Sequence, residues 1–436
     1  MIDLDDTIVA CSSPPGVGAI SLIRVSSPDI SFLTESLSLS ELKANEAKVT
    51  EIELKKDLKE KCVLTLFKKP NSFTGEDILE VSCHGNPLIV SLLVSYFVSK
   101  GCREAKPGEF SLRSFMNNKL TLLEAEAIDD LINAETEEQL LASSRSLSGS
   151  FDSKIDLVIE KLKNLRIYVE SNIDFSDDEI IDDFHEFKSN LNDFNDFLDE
   201  FIDEVGVSKY LNEGVKVVLT GPPNVGKSTL MNYFTDVKTS IVSEIPGTTR
   251  DLLSKSIKIQ GFIFDFIDTA GLSDEQHGKI EKIGIERAKK ALNQANIIIE
   301  LIDPENMNYK AQYPRNLKVL KVINKLDLFE NSEKNKLCIS AKYNKNINEL
   351  KDSLVSAAFK SKNKTLEGFS ARTRHLELIN KCYAETIAAE KLCFEDSVEL
   401  SAEHLKSASN FLGQIMSPYS SDDLLGEIFS SFCVGK

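Results

Sequence analysis

Residues 221–229 read GPPNVGKST, directly after the apolar run VKVVLT and directly before a helical pattern. That spacing, G-x-x-x-x-G-K-[ST], constrains the fold more than any other feature of the chain. Between a strand and a helix, Gly221 and Gly226 let the backbone curl with its N–H groups facing a phosphate. Lys227 then reaches the β- and γ-phosphates, and Ser228 offers its hydroxyl to Mg²⁺. Asn224, Val225 and Thr229 complete the loop. The runs SKSIKIQ-GFIFDFID, IIIELID and LKVLKVIN are strand-like and alternate with helical stretches, which predicts an α/β domain with a mostly parallel sheet over 214–362.

Further motifs follow in order, each at a strand end or between two strands. GTTRD (247–251) lies where a threonine that senses the γ-phosphate belongs, which is Thr249. DTAG (Asp268, Thr269, Ala270, Gly271) ends a strand, so Asp268 is placed to hold Mg²⁺ through water and the Gly271 N–H to meet the γ-phosphate. NKLD (Asn324, Lys325, Leu326, Asp327) ends another, and a carboxylate at Asp327 accepts the two donors on the edge of guanine. SAK (Ser340, Ala341, Lys342) completes the base pocket. Together these describe a guanine-nucleotide domain. The residue after DTAG is Leu272, where Ras-type GTPases keep a water-orienting glutamine.

The rest of the chain divides by pattern. Length, 436 residues, suggests about three domains. Residues 1–118 read as mixed α+β, with β-rich runs at DTIVACS, AISLIRVS, KCVLTLF and ILEVSCHG. Helical periodicity then begins, with Ile155, Ile159, Leu162, Leu165 and Val169, and later Phe184, Phe187, Leu191, Phe194, Leu198 and Phe201. It returns after residue 363 with Leu376, Ile379, Tyr383 and Ile387. The expected architecture is an α+β multidomain chain: an N-terminal α+β domain (1–118), a helical domain in two halves (119–213 and 363–436), and the α/β domain (214–362) inserted between them.

Charge is unevenly spread. Asp plus Glu number 69 against 51 Lys plus Arg, a net of −18, and 174–204 holds acids against Lys188 alone. An acidic total disfavours sequence-blind phosphate-backbone binding by this chain alone, but not RNA contact through a local patch or a partner. The acidic helix reads either as a docking surface or as the solvated face of a helix whose Phe/Leu stripe is buried. Eight cysteines without a CxxC pair suit reduced thiols. No apolar run reaches the roughly 20 residues of a membrane span, and the acidic MIDLDDTIV start is unlike a signal peptide. A cytoplasmic protein is expected.

GPPNVGKST, IVSEIPGTTRD, DTAGL and IEKIGIER, together with NSFTGEDILEVSCHG, KPGEFSLRSFMNNKLTLLEAEAIDDLI and the ending SDDLLGEIFSSFCVGK, resemble the tRNA-modification GTPase MnmE (TrmE) family over the whole chain. The resemblance implies a folate-binding N-terminal domain, a discontinuous helical domain and an inserted Ras-like P-loop GTPase domain. It implies a homodimer that forms a heterotetramer with the FAD-bearing flavoprotein GidA (MnmG). Together they would install a carboxymethylaminomethyl-type group on carbon 5 of the wobble uridine (position 34) of certain tRNAs. A 5-formyltetrahydrofolate-type cofactor would bind Arg24, Glu80, Lys119 and Lys436; the plainer alternative for Arg24 and Glu80 is a partly buried ion pair.

Without the glutamine, hydrolysis must be arranged otherwise. The Asn224 side-chain oxygen, the backbone carbonyls of Ser243 and Ile245, and the oxygens of Thr248 suit a monovalent cation beside the phosphates. In the resembled family that cation is K⁺, which orders the loop Ser243, Glu244, Ile245, Pro246, Gly247, Thr248, Thr249 and lets two GTPase domains dimerise. The likeness of IEKIGIER assigns the water-orienting carboxylate to Glu281, with Lys227 and Asn224 as the other catalytic candidates and Arg250 next in line. Mg²⁺ would sit on Ser228 and Thr249. Cys433 is a candidate reactive thiol or a small apolar tail contact, and His84 reads as a plain turn histidine. A rival function is a ribosome-assembly-type GTPase switch, which shares every nucleotide motif.

Overall fold

A computed structural model describes residues 5–37, 42–174, 184–236, 254–268, 290–309, 311–314, 317–328, 337–359, 368–393, 398–416 and 422–435. These residues hold two six-stranded sheets and fall into two compact units. One comprises 1–129, 147–160 and 406–436, the other 130–146 and 161–405.

The first unit is built on β1 (Ile8–Cys11), β2 (Ile20–Ser27), β3 (Ala47–Lys55), β4 (Leu58–Phe67), β5 (Asp77–His84) and β6 (Arg103–Glu104), ordered β3-β4-β5-β2-β1-β6. Along β4 buried and exposed residues alternate, as in an antiparallel sheet with one packed face. Ile23, Val25, Leu64, Leu79 and Val81 fill that face together with Leu33 of α1 (Ser31–Ser36) and Leu93 and Phe97 of α2 (Pro87–Ser99). Helix α2 starts where it does because Pro87 opens it and the Asn86 side chain accepts the Leu88 N–H. β3 has no counterpart among the β-rich runs read from sequence. Its outer face carries Glu51 and Glu53 opposite Lys61 and Lys59, which dilutes the apolar signal. His84 is more than a turn residue. It ends β5, and Glu60 accepts from its backbone N–H (2.8 Å) while lying 2.7 Å from its Nδ1. The pairing was invisible in sequence because 24 residues separate the partners.

The other helices of this unit carry their own start signals. Helix α4 (Leu122–Asn133) opens on a reciprocal cap: Thr121 Oγ1 accepts the Glu124 N–H, and Glu124 Oε2 accepts the Thr121 N–H. Helix α3 (Glu109–Met116) buries the Arg113 guanidinium completely against Asp6, Glu76 and Glu109. The chain's last described residues return to this unit: the Gly108 N–H donates to Cys433 O, and Ser12 Oγ donates to Gly435 O.

The second unit contains β7 (Val215–Thr220), β8 (Ser254–Ile259), β9 (Phe262–Asp268), β10 (Ile297–Ile302), β11 (Lys318–Ile323) and β12 (Leu337–Cys338), ordered β12-β11-β10-β7-β9-β8. All pairings are parallel except β8 with β9. Every residue of β10 is buried, the mark of a strand covered on both faces. After α5 (Glu137–Leu147) and α6 (Ser150–Asp174), helix α7 (Phe184–Glu213) buries Phe187, Leu191, Phe194, Leu198 and Phe201. The apolar stripe read from sequence is therefore core.

One crossover departs from expectation. Between β10 and β11 the described residues form a single turn, Pro304–Asn306, and no α-helix. Parallel neighbours are usually bridged by one. Pro304, Asn306, Asn308 and Pro314 explain the difference, since Pro and Asn favour turns over helix interiors.

Candidate nucleotide site

The phosphate loop leaves β7 at Thr220 and enters α8 (Lys227–Asp236). Its path requires glycine twice. Gly221 has φ +140°, and a Cβ there would stand 2.0 Å from Leu301 O. Gly226 has φ +96°, and a Cβ would stand 2.3 Å from Asn324 Nδ2. Asn224 between them is also left-handed, at φ 61°, a conformation asparagine tolerates better than most residues. Val225 is fully buried and anchors the loop from below. Lys227 is buried at the first turn of α8, its ammonium donating to Gly221 O and Pro222 O at 2.8 Å each. Ser228 and Thr229 stand exposed one residue further on. A hard hydroxyl oxygen at that helix start suits Mg²⁺.

Asn324 joins the motifs physically. Its Nδ2 donates to Val225 O at 2.8 Å, and its Oδ1 accepts the Ala341 N–H at 3.0 Å. One side chain thus ties the phosphate loop to NKLD and SAK, three segments distant in sequence. Sequence reasoning listed Asn324 as a nucleotide contact but missed this structural role. Asp327 follows on an exposed turn and accepts from Ser340 Oγ. That hydrogen bond chiefly holds its carboxyl below the usual carboxylate range. Lys325, at φ 63°, bonds the buried Asp303 at 2.6 Å, and Lys342 lies over the Tyr343 ring. Asp268 ends β9 in register with Leu219, beside the start of the phosphate loop. Thr269, Ala270, Gly271, Leu272, the loop from Ser243 through Arg250, and Glu281 lie outside the described residues, as does Lys436.

Sequence reasoning also missed a polar network beneath the loop. Thr220 Oγ1 lies 2.7 Å from the Tyr313 hydroxyl, which donates to Glu300 Oε1 at 3.1 Å. No motif marks it, because Tyr313 belongs to the irregular crossover.

The second candidate constellation is in the N-terminal sheet. Arg24 and Glu80 are cross-strand partners, and the guanidinium donates to Glu80 Oε1 from Nε (3.0 Å) and Nη2 (2.6 Å). The pair is about four-fifths buried, with Phe73 and Phe110 rings 5.4 and 5.9 Å from the guanidinium carbon. This is the ion pair given above as the plainer alternative. The Lys119 side chain lies beside Gly75. Gly435 lies against Cys11, the last residue of β1 in the same sheet, and against Ser12 just beyond it. Cys433 is exposed. Among the described residues no cluster of His, Cys, Asp and Glu could hold a metal ion, and no helix is long and apolar enough to cross a membrane.

With this geometry in place, likeness to known proteins is decisive. The family model for the MnmE helical domain matches residues 122–433, and that for the GTP-binding protein TrmE N-terminus matches 7–119. The chain is 36% identical to the tRNA modification GTPase MnmE of Francisella philomiragia over 99% of both chains. It is 39% identical to that of Proteus mirabilis, again over 99% of both. The chain belongs to the MnmE family of tRNA modification GTPases. Among solved structures it is similar to Era of Aquifex aeolicus bound to GDP and AlF₄⁻, at 25% identity over 40% of this chain and 65% of that one. The TM-score is 0.26, a partial superposition that adds nothing to the MnmE assignment.

Proposed function

We propose that this MnmE-family GTPase couples GTP hydrolysis to modification of carbon 5 of the wobble uridine in certain tRNAs, working with a flavoprotein of the GidA (MnmG) type that carries FAD. The observation that carries the nucleotide half of this reading is the Asn324 bridge, which hydrogen-bonds the phosphate loop to SAK from within NKLD. The tRNA half rests on membership in the family.

In the proposed site, loop N–H groups and Lys227 meet the β- and γ-phosphates, and Asp327 accepts two donors from guanine. Ser228 and Thr249 would hold Mg²⁺, which when bound neutralises phosphate charge. Asn224, Ser243, Ile245 and Thr248 would hold K⁺, which when bound screens the same charge. Leucine at 272 has no group to orient water, and Glu281 takes that role in this reading. Glu244, Pro246 and Gly247 would contact GTP together with Ser243, Ile245, Thr248 and Thr249. A folate of the 5-formyltetrahydrofolate type would lie near Arg24, Glu80, Lys119 and Lys436. The Gly435 contact to Ser12 supports that grouping, since it brings the C-terminus to the sheet that carries Arg24. Homodimerisation and the division into 1–118, 119–213 with 363–436, and 214–362 belong to the same proposal.

The test is nucleoside analysis of bulk tRNA from cells lacking the gene, complemented with wild type or Lys227→Ala. Wild type should restore the carboxymethylaminomethyl-type wobble uridine and the variant should not. Wobble uridines unchanged by the deletion would support the ribosome-assembly switch instead.

A further inference from the structure

The irregular crossover between β10 and β11 does something a helix there would not. It lays the Tyr313 ring on the sheet face formed by Val218 and Ile298, with the hydroxyl reaching two neighbouring strands. Thr220, 7% exposed, is the last residue of β7 and launches the phosphate loop. Glu300, 1% exposed, is its register partner on β10. Lys321 on β11 stands 3.1 Å from the other oxygen of Glu300. Proton bookkeeping orders the chain of bonds. A carboxylate only accepts, so Tyr313 places its single proton on Glu300 (3.1 Å), and its oxygen is left to accept from Thr220 (2.7 Å), whose hydroxyl has a second, longer acceptor in Ile299 O (3.3 Å). A carboxylate this deep is costly unless its bonds are made, which favours the Tyr313 hydroxyl pointing to Glu300. Thr220 is thereby held by Tyr313, and at the next residue, Gly221, Leu301 O leaves no room for a Cβ.

We infer that Tyr313 is a positioning residue for the phosphate loop, acting through Thr220 and supported by Glu300. The inference rests on the nucleotide-site reading above. It assigns the Tyr313 hydroxyl no contact with the nucleotide. Its effect is to fix where β7 ends and so where the loop N–H groups and Lys227 are presented. Losing such a hold releases the loop in the free protein, and nucleotide binding must then re-order it.

The test measures affinity for a fluorescent GTP analogue, turnover and thermal stability on the full chain. Tyr313→Phe keeps the ring packing and removes the hydroxyl. It should raise Kd about fivefold, the scale of one net hydrogen bond, and leave turnover at saturating GTP near wild type. Thr220→Val should do the same and Thr220→Ser should not, and the Tyr313→Phe/Thr220→Val double variant should bind no more weakly than either single one. A folded Tyr313→Phe variant with wild-type Kd overturns the inference, even if its Tm falls, because that is the signature of packing alone. So does a Thr220→Ser variant as weak as Thr220→Val. A wild-type protein that fails to bind the GTP analogue instead removes the nucleotide-site reading itself.

Discussion

The two sheets place their candidate sites by different means. In the parallel sheet the site gathers at strand ends. β7 ends at the phosphate loop, β9 at Asp268 and β11 just before Asn324. Each end demands a particular residue type, because a left-handed turn, a lysine at a helix start or an acceptor for guanine is a local requirement. In the N-terminal sheet the candidate pair Arg24–Glu80 sits mid-strand, and Gly435, from the far end of the chain, is bonded to Ser12 just beyond β1 of that sheet. The first arrangement writes its chemistry into short motifs. The second writes it into long-range packing.

The largest effect that would sharpen this contrast is electrostatic. Arg113 is wholly buried among Asp6, Glu76 and Glu109. Arg113→Ala should cost about 3–5 kcal/mol, since it leaves buried carboxylates without their cation. Urea unfolding measures the loss. A cost under about 1 kcal/mol would mean the cluster is not what holds α3 to β1.

Next in size, Lys227→Ala should lower GTP turnover about 100- to 1,000-fold, the usual scale for one charge-stabilising group, with little change in unfolding midpoint. The two sheets would then differ cleanly: one variant unfolds its region, the other disarms its site. A large stability loss in Lys227→Ala would blur that division and show that the ammonium's bonds to Gly221 O and Pro222 O hold the loop together.

Asp327→Asn should be smaller in total effect because it redirects binding. The amide mismatches guanine but suits the exchanged edge of xanthine, so GTP affinity should fall about 10- to 100-fold and xanthosine nucleotide affinity should rise. Competition binding with both nucleotides reads this directly. Unaltered preference would remove Asp327 from the base pocket.

What the sequence made legible follows the same division. GPPNVGKST, DTAG, NKLD and SAK could be located because each answers a backbone demand within a few residues. The Asn324 bridge could not, since its partners Val225 and Ala341 lie 99 and 17 residues away. The Arg113 cluster was equally hidden, with Asp6 107 residues distant and only Glu109, one helical turn back, as a local hint. The Arg24–Glu80 pairing was anticipated as an alternative because charges at such partly buried sites are commonly paired. Register, which decides whether two such residues face each other, is a property of the sheet. The crossover, without an α-helix among its described residues, escaped notice because alternation of strands and helices is a domain-level expectation, while Pro304 and Pro314 act locally.

The smallest predicted effect sets the sheets against each other through pH. Burial raises the Asp265 carboxyl above its ordinary value of 3.8, although Ser256 donates a hydrogen bond to it. Asp265 in turn adds to the burial that raises Glu135. A carboxyl raised in the folded state binds its proton more tightly than in the unfolded chain. Stability from this source is therefore full below pH 3.8 and is lost as pH rises through the folded value. Glu109 in the N-terminal sheet has the opposite sign. Burial alone would raise it, but hydrogen bonds from Arg103 and the Lys106 backbone N–H hold it below 4.5, so its contribution is present above that pH and lost as acid titrates it. Asp265→Asn keeps an acceptor for Ser256 and removes the charge. It should stabilise the protein by about 1 kcal/mol or less at neutral pH, with the gain shrinking toward zero as pH falls to 3.8. Urea midpoints for wild type and variant between pH 4 and 7 measure it. A difference that stays constant across that range would mean the substitution acts through packing and not through the buried charge.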